Sequence, residues 1–372
     1  MSTDVLILGG GIAGCWAAIS AAKMGLKVAI VEKGATIRSG AGSGVDNWNY
    51  TPNPYSKITA EECIEAEFET YGGYTNLTSR YISARESYDT LLEMEQMGGK
   101  IRDTEDEFKG SDFRDEETKF CFRFDYVNKL HFVVWGADFK PILFRECKRQ
   151  GVTIYDRVQA TSLLTEGGKQ GTRVVGITGL NNRTGEFYVF KAKSTIDCMS
   201  RHNMNWLFAL QQARVLDAHR PFSIVGNGHA MAWRAGAAFT MMEKSRADMT
   251  GAPSFPGYGE GSPSTSWWPC SMVDADGKEI PWIDRDRKIL TTVSERYQLA
   301  PGQKWMGERA SGDPPYKYLK PQIVPDINER IKKGEFKLPL YADLPRMPEM
   351  ERRLIWGVMI GNEGKTKVPI LQ

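Results

Sequence analysis

The residues best spaced for chemistry lie near the amino terminus. Gly9-Gly10-Gly11-Ile12-Ala13-Gly14 fits G-x-G-x-x-G. It follows an apolar run, Asp4 to Leu8, that reads as a buried strand, and it opens an Ala-rich segment, Ile12 to Met24, that reads as a helix. In that setting Gly9 permits a tight turn, Gly11 lets the backbone approach a diphosphate, and Gly14 lets helix and strand pack closely. The first amides of the helix then face the phosphates. A second strand, Lys27 to Val31, ends at Glu32, 18 residues past Gly14. A carboxylate there accepts hydrogen bonds from both hydroxyls of an adenosine ribose and repels a 2′-phosphate. The competing reading is a turn-forming glycine cluster followed by a surface Glu.

The next residues bear on which dinucleotide is held. Glu32-Lys33-Gly34 leads into Arg38-Ser39-Gly40-Ala41-Gly42-Ser43-Gly44 rather than into another regular strand and helix. A loop of small residues can lie against a large planar ring, which favours a flavin over a nicotinamide. A flexible surface loop is the alternative.

These residues must be positioned by a strand–helix–strand unit of about 30 residues. Gly34 to Tyr55 reads as a long ordered loop. Helices are expected over Ile58 to Tyr71, Asn76 to Met97 and Ala137 to Gln150. Strands follow at Val152 to Tyr155, Val158 to Leu164, Arg173 to Leu180, Glu186 to Lys191 and Ser194 to Asp197. Gly167-Gly168 and Asn182-Arg183-Thr184-Gly185 mark hairpin turns. Gly228 to Ala238 is again helical. From Glu243 the chain turns rich in Gly, Pro and Ser, and it has little periodicity up to Pro348. The expected fold class is α/β. A dinucleotide-binding domain over 1–242, with a parallel and a small antiparallel sheet, carries an inserted α+β capping domain over 243–348. Residues 349–372 lead back toward the first domain, with a helix near Met350 to Met359.

Composition narrows the classes. With 372 residues, 48 Lys+Arg against 46 Asp+Glu, and 25% charged residues, the chain is globular and too balanced for a dedicated nucleic-acid binder. It has no run of 18 apolar residues and no secretory pattern at its start. The six cysteines lack C-x-x-C spacing, so neither a zinc site nor a local iron–sulfur cluster is expected, and a reducing, cytoplasmic setting fits.

Three stretches resemble the FAD-binding flavoprotein subunits of the succinate dehydrogenase/fumarate reductase superfamily, with the adenylylsulfate reductase alpha branch nearest in character. They are Val5 to Lys33, Arg38 to Asn47 (RSGAGSGVDN) and Val225 to Ala237 (VGNGHAMAWRAGA). The resemblance implies a Rossmann-like FAD-binding domain and a cap that encloses the substrate over the flavin. By it Gly9, Gly11, Ile12, Ala13 and Gly14 hold the diphosphate, and Glu32 with Lys33 holds the adenosine side. Arg38, Ser39, Gly40, Ala41, Gly42, Ser43, Gly44, Asp46 and Asn47 line the flavin. Val158, Gln159 and Ala160 meet the adenine end, and Cys198, Ser200 and Asn227 lie near the ring. Gly40 stands where succinate dehydrogenases carry the histidine linked to FAD, so the cofactor is expected to be noncovalent. Cys198-Met199-Ser200-Arg201 replaces the family's A-T-G-G. Family members also return from the cap with a Gly-rich segment that completes the flavin pocket, and nothing like it precedes Gln372. Either the sequence is incomplete or a second chain supplies that half.

The resemblance further implies two-electron chemistry on a small, anionic substrate, coupled to an iron–sulfur protein subunit. An Arg of the cap commonly carries the proton, and Arg285 and Arg287 occupy that region; a solvated charged turn is the alternative. His229, at a helix start, is a candidate proton relay or donor to the ring, or a histidine satisfied by backbone. There is no Ser-His-Asp arrangement, no H-E-x-x-H and no phosphate-binding G-x-x-x-x-G-K. The rival from another class is a noncatalytic FAD-binding electron relay or part of a split flavoprotein. A plain NAD-dependent dehydrogenase predicts a colourless protein.

Overall fold

The structure is a computed structural model. It describes residues 1–40, 47–70, 73–123, 126–135, 138–200, 224–240, 242, 270–284, 287–296, 322–324, 326–356 and 367–371. Its helices are α1 (Ile12–Lys23), α2 (Ala60–Thr70), α3 (Leu77–Gln96), α4 (Phe139–Arg149), α5 (Asn227–Ala235), α6 (Val293–Arg296), α7 (Ile327–Lys332) and α8 (Glu349–Trp356). Two compact units divide the chain. One comprises Met1–Gly44 with Gly136–Pro256, the other Val45–Trp135 with Gly257–Gln372.

The first unit is built on β1 (Ser2–Leu8) and β2 (Val28–Glu32). Leu6, Ile7 and Leu8 are fully buried, as a central parallel strand covered on both faces requires. β1 runs parallel to β2, with Val5 beside Val28, and β2 runs parallel to a later strand at Thr153–Asp156. With β3 (Asn47–Trp48) and β4 (Phe132–Val133) assigned to the second unit, that later strand is β5. The chain then forms β6 (Val158–Thr165), β7 (Val174–Asn181) and β8 (Phe187–Asp197). The sheet order β5-β2-β1-β8-β7-β6 joins four parallel strands to an antiparallel meander. This is the expected α/β architecture. α1 and α4 pack together, with Trp16 stacked on Phe139 at 6.3 Å. On the meander, Val158, Ala160, Ile177 and Phe190 form an apolar core with Met231 of α5.

One expectation needs correction. Glu186–Lys191 and Ser194–Asp197 are not two strands but one, β8. Ala192 and Lys193, between them, continue the strand as its partner changes. Lys191 pairs antiparallel with Gly176 of β7 and parallel with Ser2 of β1. From Lys191 to Asp197 the strand follows β1.

In the second unit α2 and α3 pack together. α2 begins at a capping box, in which the Thr59 amide donates to Glu62 at 2.9 Å and the Glu62 amide donates to Thr59 Oγ1 at 3.2 Å. Asn76 caps α3 by accepting from the Ser79 amide at 3.0 Å. The loop expected over Gly34 to Tyr55 contains the short strand β3, paired antiparallel with β4. Phe120, Phe122 and Phe132 form a buried aromatic group, with Phe122 and Phe132 4.8 Å apart. Further on, β9 (Ser271–Val273), β10 (Glu279–Ile280), β14 (Leu340–Asp343) and β15 (Lys367–Leu371) make a sheet in the order β10-β9-β14-β15. A second small sheet places β11 (Trp282–Ile283) between β12 (Ile289–Leu290) and β13 (Gln322–Ile323). Among the described residues no helix is long and apolar enough to cross a membrane.

Candidate dinucleotide site

At the carboxyl end of β1 the chain turns sharply into α1. Gly9 has φ +93°, a conformation that side-chain-bearing residues rarely adopt. A Cβ on Gly14 would lie 1.9 Å from the Gly9 carbonyl oxygen, so α1 can approach the turn this closely only with glycine there. At Gly11 a Cβ would meet only Gly40 Cα, at 3.8 Å, leaving an open face in front of the turn. Gly11 is the N-cap of α1 and offers no capping side chain. The first amides of α1 must therefore be satisfied from outside the helix, which is the donor set a diphosphate needs. Ile12 is half-buried and Ala13 is exposed beside this face.

Glu32, at the end of β2, is buried. Its Oε2 accepts from the Gly10 amide at 2.7 Å and its Oε1 from the Gly34 amide at 2.6 Å. Each carboxylate oxygen has two acceptor sites, so one on each remains for a hydroxyl. The carboxylate is thus fixed in orientation by backbone and still able to receive two ribose hydroxyls. Asp156 supports the following turn, its Oδ1 accepting from the Thr36 amide at 2.8 Å and Thr36 Oγ1 at 2.7 Å. A Cβ on Gly10 would strike that same Thr36 hydroxyl at 2.5 Å.

The other residues singled out in the sequence fall into three groups. Lys33 and Gly34 are tied to the start of β6. The Arg157 amide donates to the Gly34 carbonyl at 2.9 Å and Asn182 Nδ2 to the Lys33 carbonyl at 3.2 Å. This brings Val158, Gln159 and Ala160 next to the end of β2; Val158 and Ala160 are buried and Gln159 is half-buried. Arg38 is exposed, and Ser39 donates to the Ala35 carbonyl at 2.9 Å. Gly40 has φ +76°, and a Cβ there would lie 3.0 Å from Gly11 Cα.

At the end of β8, the Cys198 carbonyl oxygen stands 3.0 Å from the Cβ position of Gly9. Asn227 is half-buried at the first position of α5. A Cβ on the next residue, Gly228, would lie 2.6 Å from Asp197 Oδ2, so α5 docks on the end of β8. Burial there raises the Asp197 carboxyl, against the Met199 amide and the nearby His229 charge, which lower it. Burial also pushes the Cys198 thiol up to about 11. Ser200 and His229 are exposed. The β1, β2 and β8 ends therefore gather Gly9–Gly14, Glu32, Cys198, Asn227 and His229 on one edge of the first unit.

The third group lies elsewhere. Ala41, Gly42, Ser43, Gly44, Asp46 and Arg285 are outside the described residues. Asn47 belongs to the second unit, where its backbone pairs with Val133. Arg287 is exposed, with φ +66°, on the turn between β11 and β12 in that same unit. Its amide donates to the Asp284 carbonyl at 3.1 Å.

Sequence reasoning missed Lys140, Cys15 and Asp156. Lys140 is buried in the first turn of α4 beneath the glycine turn. It is a cation buried on the same helix as Phe139, Ile142 and Leu143, and that mismatch was the available signal. Cys15, fully buried in α1, is lowered by a hydrogen bond with Cys147 and by the Lys140 ammonium, against burial and the Glu32 charge.

Comparison with known proteins agrees with this geometry. Residues 4–262 match the family model described as FAD binding domain. A curated relative, one of the subunits of the fumarate reductase (CoM/CoB) of Methanothermobacter marburgensis, is 28% identical over 258 residues, covering 67% of this chain and 42% of that protein. Similar solved structures include an adenosine-5-phosphosulfate reductase in complex with sulfite, with TM-score 0.59 and 23% identity over 92% of this chain and 49% of that one. The adenylylsulfate reductase of Archaeoglobus fulgidus gives TM-score 0.56 at 21% identity, covering 92% of this chain and 49% of that one. An E. coli quinol fumarate reductase FrdA gives TM-score 0.60 at 15% identity, covering 100% of this chain and 60% of that one. The chain thus spans less than half the length of its curated relative. With the family match running through the glycine turn, Glu32 and α5, the chain belongs to the FAD binding domain family, and its cofactor is FAD.

Proposed function

We propose that this chain is the FAD-carrying part of an oxidoreductase acting on a small anionic substrate in the cytoplasm, with an iron–sulfur protein as its electron-transfer partner. The observation that carries the reading is the edge built by the turn at Gly9–Gly14 and the backbone-clamped Glu32. The curated relative is named as part of a fumarate reductase, which favours the same class of chemistry.

In this reading the amides of Gly11, Ile12 and Ala13 bind the diphosphate, and Glu32 receives the adenosine ribose. Lys33 and the backbone of Val158–Ala160 border the adenine. Arg38 to Gly44, Asp46 and Asn47 serve the flavin side, with Cys198, Ser200 and Asn227 near the ring. The attachment is noncovalent: Gly40 has no linking side chain, and its positive φ and 3.0 Å approach to Gly11 disfavour one. Bound FAD supplies a centre that accepts or gives two electrons. His229, close enough to Asp197 for its charge to act on that carboxyl, is assigned to proton transfer. Arg285 and Arg287 are assigned to the substrate's proton or carboxylate. Residues 1–242 hold the cofactor, 243–348 form the cap, and 349–372 lead back from it. A second chain completing the FAD site belongs to the same reading.

The test is the purified full chain. A flavin absorption spectrum, with close to one FAD per chain released by acid, is expected. Anaerobic bleaching by a small-molecule donor marks an enzyme, whereas bleaching only by a reduced iron–sulfur protein marks a relay. A colourless chain that does not take up added FAD overturns the reading.

A further inference from the structure

We propose that Lys140 is a positioning residue for the FAD diphosphate and acts through the Gly10 peptide; this rests on the proposed reading that the glycine turn holds that diphosphate. Lys140 is 1% exposed. Its Nζ donates to the Gly10 carbonyl at 2.6 Å and to Cys15 Sγ at 3.0 Å. The Gly10 carbonyl is neutral, and the Cys15 thiol is lowered by a Cys147 hydrogen bond and by this ammonium, against burial and the Glu32 charge. Burying an ammonium is costly unless its charge is answered. The Glu32 carboxylate, on the amide of the same Gly10, answers part of that charge, and an anion beyond the next peptide would answer it further.

The geometry makes the link specific. Gly10 is clamped at both ends, its amide donating to Glu32 and its carbonyl accepting from Lys140. Cys15 Sγ, 3.4 Å from the same carbonyl oxygen, donates to it as well. The Gly10–Gly11 bond is trans, since among the described residues the cis bond lies at Leu338–Pro339. In a trans peptide the carbonyl and the following N–H point in opposite directions. Drawing the Gly10 carbonyl inward therefore turns the Gly11 amide outward, onto the open face where a Cβ would meet only Gly40 at 3.8 Å. Lys140 thus orients the first diphosphate donor. It also polarises that peptide in a low-dielectric setting, where charge acts more strongly than in water.

The ligand series decides between positioning of the diphosphate and plain structural support. Calorimetric titrations of the full chain, stripped of FAD, use FAD, ADP and adenosine at one salt concentration. Lys140→Met is expected to weaken FAD and ADP by about 10- to 100-fold, the range for losing a hydrogen bond to a charged group. Adenosine, which has no phosphate, is expected to bind within about twofold of the parent, by the absence of that contact. Lys140→Arg restores ADP binding, because it keeps the cation and the donor. If Lys140→Met does not fold by circular dichroism, Lys140→Gln replaces it, keeping a donor to Gly10 while removing the charge. Equal losses for ADP and adenosine, or no loss for ADP, overturn the proposal. A Gly11→Val control separates it from the reading beneath: if that variant binds ADP normally, the turn is not the diphosphate site and the broader reading fails first.

Discussion

The two units handle polar groups in opposite ways. In the first, the site is made from backbone: glycines remove side chains so that amides can face a ligand, and Glu32 is oriented by two amides. In the second, polar side chains are buried against one another. Arg114 is 1% exposed and lies 2.8 Å from Asp103, whose carboxylate also receives the Glu107 and Phe108 amides, each at 2.9 Å. Glu351 of α8 is buried with both oxygens on the Tyr126 hydroxyl, at 2.8 and 2.9 Å. His131 is buried, and burial together with the Arg123 guanidinium pushes it down to about 3. The contrast is between groups left ready for a ligand and groups buried against the fold itself.

The largest effect should come from filling the turn. Gly14→Val puts a side chain where even a Cβ would meet the Gly9 carbonyl at 1.9 Å, and neither backbone segment can yield without breaking the β1–α1 join. FAD binding is expected to fall by at least about 1000-fold, or about 4 kcal/mol, read as flavin retained per chain after gel filtration. Near-normal retention would mean that α1 does not pack on the turn. The counterpart in the second unit is Asp103→Ala. It leaves the Glu107 and Phe108 amides without their acceptor and removes one of the three carboxylates on Arg114, which keeps Asp106 and Glu116, and about 3 kcal/mol of stability should be lost in denaturant titration. An unchanged midpoint would show that the pair is not buried in solution.

What was legible in the sequence follows the same divide. A backbone-built site leaves a local pattern, because glycines must recur at fixed spacing between a strand and a helix. Gly9, Gly11, Gly14 and Glu32 could be read in this way, as could β1, β2 and α1. Lys140 could not, since its partner Gly10 lies 130 residues away and nothing in FKPIL announces the pairing. The same holds for Tyr126 and Glu351, 225 residues apart. β8 was divided for a further reason: its partner changes from β7 to β1 at Lys191, and that change is set by strands distant in the sequence.

A pH titration sharpens the comparison. Burial lifts the Glu351 carboxyl to about 7, with the Tyr126 hydroxyl opposing part of the rise. Unfolded, the group titrates near 4.5. Between those values the native state binds the extra proton, so the contribution to stability is present at low pH and lost as pH climbs toward 7. The loss is up to about 3 kcal/mol. Thermal melts from pH 5 to pH 8 should show this decline in the parent chain and a flatter profile in Glu351→Gln. Parallel profiles would mean that Glu351 is solvated in the native protein.

The smallest expected effect concerns Glu32 itself. Glu32→Gln keeps the size of the side chain and one acceptor oxygen, so either the Gly10 or the Gly34 amide can still be received. The new amide nitrogen faces the other N–H, and that side loses its acceptor for a ribose hydroxyl as well. Affinity for adenosine-containing ligands should fall by about tenfold, near 1.4 kcal/mol. Because the missing bond is to the sugar, FAD, ADP and adenosine should all weaken by the same factor in calorimetry. This separates Glu32 from the glycine turn, where only ligands carrying the diphosphate should respond to Lys140. A loss confined to FAD and ADP would place the carboxylate's influence at the phosphates instead of the ribose. The division of labour between Glu32 and the turn would then have to be redrawn.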